Sequence, residues 1–334
     1  MDTPGLFRIL VGMVLLVVMV GCQFADLPAG CPPDCRGAKL QGRVLAGVHF
    51  HNADLSSASL HNAQLRGADL SGADLSGANL SGAKLIKANL SNAKLVGADV
   101  HGANLTGAVF DGADLSGADL TEATLTRANL TRVNLTAVVM NKTRLIGAAM
   151  WGVNLSGVQL AGSNLTGATL VGATLAGANL GQVDERQAGA RVYGADLRST
   201  DLNGANLTGV RLRGANLSRA QLMYASVKAD LSGANLIKAN LRGADLSTAV
   251  LSGSDLIQTI LVDAKLEGAL LNGVTLDGAD LRGAQLSTTS ATGTSITADL
   301  HGAQYDRKTQ WPSQFLLPPV VIMKQEAPEH FESE

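Results

Sequence analysis

Aromatic residues make up only 3% of this 334-residue chain, although 46% of it is hydrophobic. An ordinary globular core leans on large aromatic side chains, so that kind of packing is disfavoured. Disorder is excluded as well, because disordered chains are short of aliphatics. Charge of one sign is lacking too: 26 Lys+Arg stand against 28 Asp+Glu, a net of −2. Neither a strongly basic nucleic-acid binder nor a strongly acidic decoy follows from that balance. Cysteine is scarce, with three in all, whereas glycine reaches 38 residues. The length suits two average domains or one long repeat array.

Residues 9–21 (ILVGMVLLVVMVG) carry no charge and follow Arg8. As a helix they would span about 20 Å, short of a bilayer core of about 30 Å. Their length is that of the apolar region of a secretory signal, the alternative being an uncleaved membrane anchor. Met19-Val20-Gly21-Cys22 comes next. These four residues resemble the lipobox of bacterial lipoproteins, with Met in place of the commoner Leu and Val20 larger than the usual small residue. The resemblance implies diacylglycerol on the Cys22 thiol and cleavage that leaves Cys22 as the first mature residue. Gln23, rather than Asp, is similar to the outer-membrane sorting pattern of Gram-negative lipoproteins. With Cys22 so assigned, Cys31 and Cys35 remain, and an oxidising compartment would permit a local disulfide between them. Free thiols and a metal clip are the alternatives, although two thiolates without further ligands make a poor zinc site.

A five-residue period fills the middle of the chain. From Leu40 to Leu180 every fifth residue is Leu, Phe, Met or Val, usually preceded by Ala and then Asp or Asn, as in Ala68-Asp69-Leu70 and Ala73-Asp74-Leu75. The register breaks at GQVDERQAGA, resumes from Val192 to Val227, shifts by one at Lys228-Ala229-Asp230, and runs from Leu231 to Ile296; Leu300 and Tyr305 close the array after another shift. A helix would smear such a period around its surface and a strand would alternate by two, so period five demands a corner in every repeat. The pattern A(D/N)LXX resembles the pentapeptide-repeat family. That resemblance implies an all-β fold, a right-handed quadrilateral β-helix with four repeats to each square coil. Leu and the preceding Ala would point inward, Gly before Ala would suit the tight corner, and Asp or Asn would bond the nearby backbone. About 13 coils at about 4.8 Å each would make a rod roughly 60 Å long.

The expected organisation is a signal peptide over 1–21, a linker and cap over 22–39, β-helix over 40–180, a loop over 181–191, a second β-helical block over 192–305, and a C-terminal cap with a disordered tail over 306–334. The loop, with Asp184-Glu185-Arg186, reads as a solvated insertion or a functional one. The one-residue deletion at Lys228 is expected to make a bulge or slight kink. Open β-helix ends are unpaired edges and need covering. Tyr305-Asp306, Thr309-Gln310-Trp311-Pro312 and Phe315 are similar to a terminal segment of bacterial pentapeptide-repeat proteins, which implies that Tyr305, Trp311 and Phe315 form a lid.

Catalytic chemistry finds no foothold. The six His are scattered: His61 and His101 are two coils apart on one face, about 10 Å, too far to share a metal ion. Outward Ser and Thr recur everywhere, and the glycines follow the repeat rather than a phosphate loop. No catalytic residue, metal, cofactor, nucleic acid or small-molecule substrate is expected. Gyrase-directed DNA mimicry, known among pentapeptide-repeat proteins, is disfavoured by the charge balance and the export signal. A Thr face for ice is interrupted by Ile146. The expectation is therefore a lipid-anchored scaffold or interaction module of the cell envelope with a protein partner, the alternative being a soluble protein-binding solenoid. Its candidate partner face is Trp151 and Val171, outward neighbours on successive coils; an exposed Trp in so aromatic-poor a chain suits an interface anchor, unless loop 181–191 covers it.

Overall fold

Five-residue steps close into a square because every fifth residue is driven inward and the two positions after it turn the chain. The computed structural model describes residues 27–181, 189–289, 295–313, 315–319 and 321–324. The apolar run 9–21 and Cys22 lie outside the described residues. Parallel bridges link residues twenty apart, Asp34 to Asp54 to Asp74, Lys39 to Ser59, Val44 to Gln64, and His49 to Asp69. Each coil thus has four sides, numbered here by their first inward residues: Cys35 (side 1), Leu40 (side 2), Leu45 (side 3) and Phe50 (side 4). The bridges begin at Asp34, and Cys35 is 2% exposed. The inward register therefore starts one repeat ahead of Leu40.

From Ala53 to Leu286 the inward residue and the small residue two before it are both buried on each regular side, for instance Ala53 with Leu55 and Ala118 with Leu120. Burying one Leu contributes on the order of 2 kcal/mol before ordering entropy is subtracted. Backbone groups are satisfied between coils: Leu55 donates to Asp74 at 2.7 Å, while Asp54 donates back to Pro33 at 2.8 Å. At each corner the N–H of the small residue returns to the carbonyl three residues earlier, as from Ala73 to Leu70 at 3.1 Å. That bond, with a positive φ of 68° at Gly72, makes a type II turn. Gly72 has a second reason to be glycine, because a Cβ there would run into the Asn52 side chain of the coil below. Where the small inward site holds a hydroxyl instead, the hydroxyl donates to a backbone carbonyl. Thr143 reaches Leu120 and Met140 at 2.9 and 2.7 Å, and Thr259 reaches Leu236 at 2.8 Å. A buried polar group is thereby paired, as it must be.

The three interior breaks in register fall at the same corner, between sides 2 and 3. Asn164 bridges Arg191 instead of a residue twenty on, and Ala190 donates to Leu180 at 2.8 Å. The inserted chain is thus closed at its base by the bond that closes an ordinary turn. The deletion at Lys228 makes a tighter turn rather than a bulge: Ala229 donates to Val227 at 2.8 Å, a bond to the second residue back. The third break corrects the expected rung at Ile296; position 291 lies outside the described residues. β1 (Ser287–Thr289) and β2 (Ser295–Thr297) pair antiparallel, with Ser287 opposite Thr297. They form a hairpin that leaves the coil after Leu286, and Ala298 donates to Leu286 at 2.7 Å to rejoin it. An Ala at the central position offers too little apolar surface to hold a side of the coil in place.

The last coil is built from Leu286, Leu300, Tyr305 and Trp311, since Gln285, Asp299, Gln304 and Gln310 bridge the coil below. Above it, β3 (Gln304–Tyr305) pairs parallel with β4 (Ile322–Met323), which lays one more strand over side 4.

Candidate interaction surfaces

Trp151 stands at the corner between sides 4 and 1, directly after inward Met150. It is 55% exposed. Ala149 bridges Thr169, and Gly152 donates to the carbonyl of Val171 at 3.0 Å, so Trp151 and half-buried Val171 are neighbours on successive coils. The same corner carries Ser91, Asp111 and Thr131 on earlier coils and Arg198 on the coil after Val171. The base of the inserted loop, Leu180 and Ala190, stands at the diagonally opposite corner; residues 182–188 lie outside the described residues.

At the N-terminal end, Cys31 and Cys35 are joined as a disulfide, with Cα atoms 4.7 Å apart. Cys35 belongs to the first coil and Cys31 packs against the same core. At the other end, Tyr305 meets Trp311 edge-on with ring centroids 5.6 Å apart, and Trp311 stacks on Phe315 at 5.7 Å. Tyr305 and Trp311 are themselves sides of the last coil, and Phe315 packs over them. Asp306 organises the corner between the two: its carboxylate accepts N–H bonds from Gly278, Lys308 and Thr309. Burial raises its pKa, and those bonds outweigh burial to leave it below the usual carboxylate range. Thr309 fills the small inward site and donates to Leu276 at 2.7 Å. Lys324, just past β4, pairs with Asp277 at 2.6 Å and ties the terminal strand down.

The outward Asp and Asn of the repeat do local work. Asp69, for example, accepts from the backbone and hydroxyl of Ser71 at 3.1 and 2.6 Å. Such bonds stabilise the turn from outside. Asp54 is the strongest case: the Ser56 hydroxyl and the Arg36 guanidinium hold its pKa at about 2. A depressed carboxylate contributes stability above its unfolded value of 3.8, and loses that contribution as pH falls through about 2. The Asp54 carboxyl carbon should accordingly titrate near pH 2 by NMR, and Ser56→Ala should move it upward. An unchanged midpoint in that variant would transfer the effect to Arg36 and the backbone N–H of residue 56.

Among the described residues no group of His, Cys, Asp or Glu is placed to hold a metal ion, and no helix is long and apolar enough to cross a membrane. His61 sits beside Ser59 at 3.2 Å and His51 beside Ser71 at 2.8 Å.

A solid four-sided coil with outward polar turns defines a class, the right-handed β-helical solenoid. The pentapeptide-repeat model matches in eight copies, over residues 34–72, 73–112, 113–152, 154–184, 190–225, 229–268 and 259–297. The chain belongs to the pentapeptide-repeat family. It is similar to HetL, a pentapeptide repeat protein involved in heterocyst differentiation regulation from the cyanobacterium Nostoc sp. strain PCC 7120. The two are 36% identical over 73% of this chain and 92% of that one, with a TM-score of 0.22. Full-length QnrB1, a plasmid-mediated fluoroquinolone resistance protein, is 19% identical over 67% of this chain and 94% of that one, at a TM-score of 0.27. A pentapeptide repeat protein of the Arabidopsis thaliana thylakoid lumen is 29% identical over 40% of this chain and 68% of that one, at 0.13. Whole-chain superposition is poor in all three, so membership rests on the repeats themselves. No curated protein sequence matches.

Proposed function

We propose that the protein is a non-enzymatic, lipid-anchored scaffold of the bacterial cell envelope, which holds a protein partner at the corner of Trp151 and Val171. The observation that supports a binding rather than a catalytic role is the filled interior: Leu and Ala ladders occupy the coil from Cys35 to Ala303, leaving function to the outer surface. The exposed indole of Trp151 gives that surface an anchor of the kind that dominates protein interfaces. Membrane attachment is supported by Met19-Val20-Gly21-Cys22 at the end of the apolar run.

One experiment addresses both parts. Wild type, Cys22→Ser and Trp151→Ala are crosslinked in membranes of a Gram-negative expression host and fractionated. Wild type should begin at Cys22 and partition into detergent, Cys22→Ser should be released or left unprocessed, and Trp151→Ala should remain anchored while its crosslinks weaken at unchanged melting temperature. Intact Met1-Asp2 on membrane-bound wild type would remove the lipid anchor. An unchanged crosslink pattern in Trp151→Ala would remove that corner as the partner face.

A further inference from the structure

The balanced charge of the sequence conceals a segregated one. The outward column of side 3 reads Val44, Gln64, Lys84, Asn104, Thr124, Arg144, Asn164, Arg191, Arg211 before the first carboxylate, Asp230. The adjoining corner, between sides 3 and 4, adds Arg66, Lys87, Arg127 and Arg213 and carries no acidic residue on any described coil. Side 3 gains a second carboxylate only at its last rung, Asp299, whereas the other sides carry them throughout: Asp54, Asp74 and Asp114 on side 1, Asp99 and Asp119 on side 2, and Asp69 and Asp196 on side 4.

Pairing separates the surfaces further. Away from side 3 many arginines and lysines are neutralised: Arg36 by Asp54, Lys94 by Asp74, Arg132 by Asp111, Arg198 by Asp196 and Arg282 by Asp280. Arg219, Lys238 and Arg242 make no ion pair among the described residues, but they do not form one continuous column. On side 3 and its corner, Arg213 pairs with Asp230 at 2.6 Å, but Arg66, Lys84, Lys87, Arg127, Arg144 and Arg211 make no ion pair among the described residues, and all six are exposed. Arg191 lies directly across the ladder from Arg211, a like-charge arrangement that disfavours the sheet unless an anion sits against it. Lys87 and Arg127 also take turn positions at φ 58° and 56°, where this corner otherwise uses glycine. From Arg66 to Arg211 the row extends about 34 Å along a straight edge.

The same column carries exposed apolar groups on either side of the basic stretch, the later ones lying between Asp230 and the final Asp299. Val44 is 68% exposed and Leu270 42%, with Val250 bridged to Leu270. A phosphate backbone has nothing to offer those side chains. A bilayer does: its headgroups meet cations and its acyl boundary receives apolar groups. A flat surface also touches a straight row along its whole length.

We propose that side 3, with its corner to side 4, is a membrane-apposed face on which the rod lies flat against an anionic lipid surface. This rests on the anchored-rod reading only in sharing its membrane; the basic face adds an attraction to anionic headgroups that the acyl chains of the anchor do not supply, and sets how the rod lies. Each cation near an anionic surface strengthens binding about fivefold, and salt screens the effect.

The full chain is floated with vesicles of phosphatidylcholine alone and of phosphatidylcholine with phosphatidylglycerol in equal parts. One variant carries Arg144→Gln, Arg191→Gln and Arg211→Gln. A control of equal charge loss carries Arg219→Gln, Lys238→Gln and Arg242→Gln on other sides. Both should melt like wild type, since all six positions lie outside the core. Wild type should prefer the anionic vesicles, the side 3 variant should lose about 100-fold of that preference, and the control should keep it. Binding to anionic vesicles but not to neutral ones would support the face and remove the lipid anchor. Equal partition of wild type between the two vesicles would overturn the face while leaving the anchor standing. An equal loss in both variants, or retention of duplex DNA without vesicle preference, would overturn it as well.

Discussion

Leu120→Asp is expected to cost at least about 5 kcal/mol, enough to unfold the rod around that coil. Leu120 is fully buried on side 2, stacked between Val100 and Met140, and its carbonyl already accepts the Thr143 hydroxyl. The loss has two parts. About 2 kcal/mol of apolar burial disappears, and a carboxylate is moved into a Leu ladder with no donor free to meet it. Protonating the new carboxyl lessens the second part, so the variant should be less unstable in acid than at neutral pH. Ser116→Asp, at the outward corner between sides 1 and 2, should stay within about 0.5 kcal/mol of wild type. Urea unfolding followed by circular dichroism measures both, and equal midpoints would refute the assignment of inside and outside.

Trp311→Ala is expected to loosen the C-terminal end by about 3 kcal/mol while leaving the middle of the rod alone. Trp311 closes the fourth side of the last coil, bears on Tyr305 and carries Phe315. In a solenoid each coil touches only its neighbours, so the damage should remain local. Amide exchange reports it: Leu281 and Leu276, which donate to Gln310 and Gln304, should lose protection, whereas Leu120 and Leu125 should not. The uncovered strand edge should also promote end-to-end association at high concentration. Unchanged exchange at Leu281 would show that β4 and the Asp306 corner suffice as a cap.

Much of this architecture was legible in the residue order. Period five with Ala two before Leu requires a corner in every repeat, and the positive φ at Gly72 is what glycine before Ala led one to expect. Tyr305, Trp311 and Phe315 do come together at the end, although two of them are sides of a coil rather than a separate lid. The start at Cys35 was less visible, since Pro33 stands where later repeats have Ala and a cysteine where they have Leu. The hairpin at 287–297 was misread because Ile296 kept the count of five; the Ala at 291, too small for the ladder, was the signal. The hydroxyls of Thr143 and Thr259 were legible only as exceptions, since each reaches a carbonyl on the preceding coil, Leu120 and Leu236.

By itself the sequence determined that the chain coils, which residues face inward over most of its length, and where the first two interruptions fall, because these follow from a local five-residue rule. Only the tertiary structure decided which outward residues are neighbours. Beyond residue 181 the spacing of twenty no longer holds, and an insertion, a deletion and a hairpin intervene. All three are absorbed at one corner, where Ala190 and Ala298 restore the ordinary closing bond, so the four columns stay in phase from end to end. That is what lines up Arg66, Arg144 and Arg211 on one side of the rod and puts Arg132 beside Asp111 on another. A charge sum over the chain averages these surfaces to nearly zero; stacking separates them, because residues a full turn apart in sequence come within about 5 Å in space.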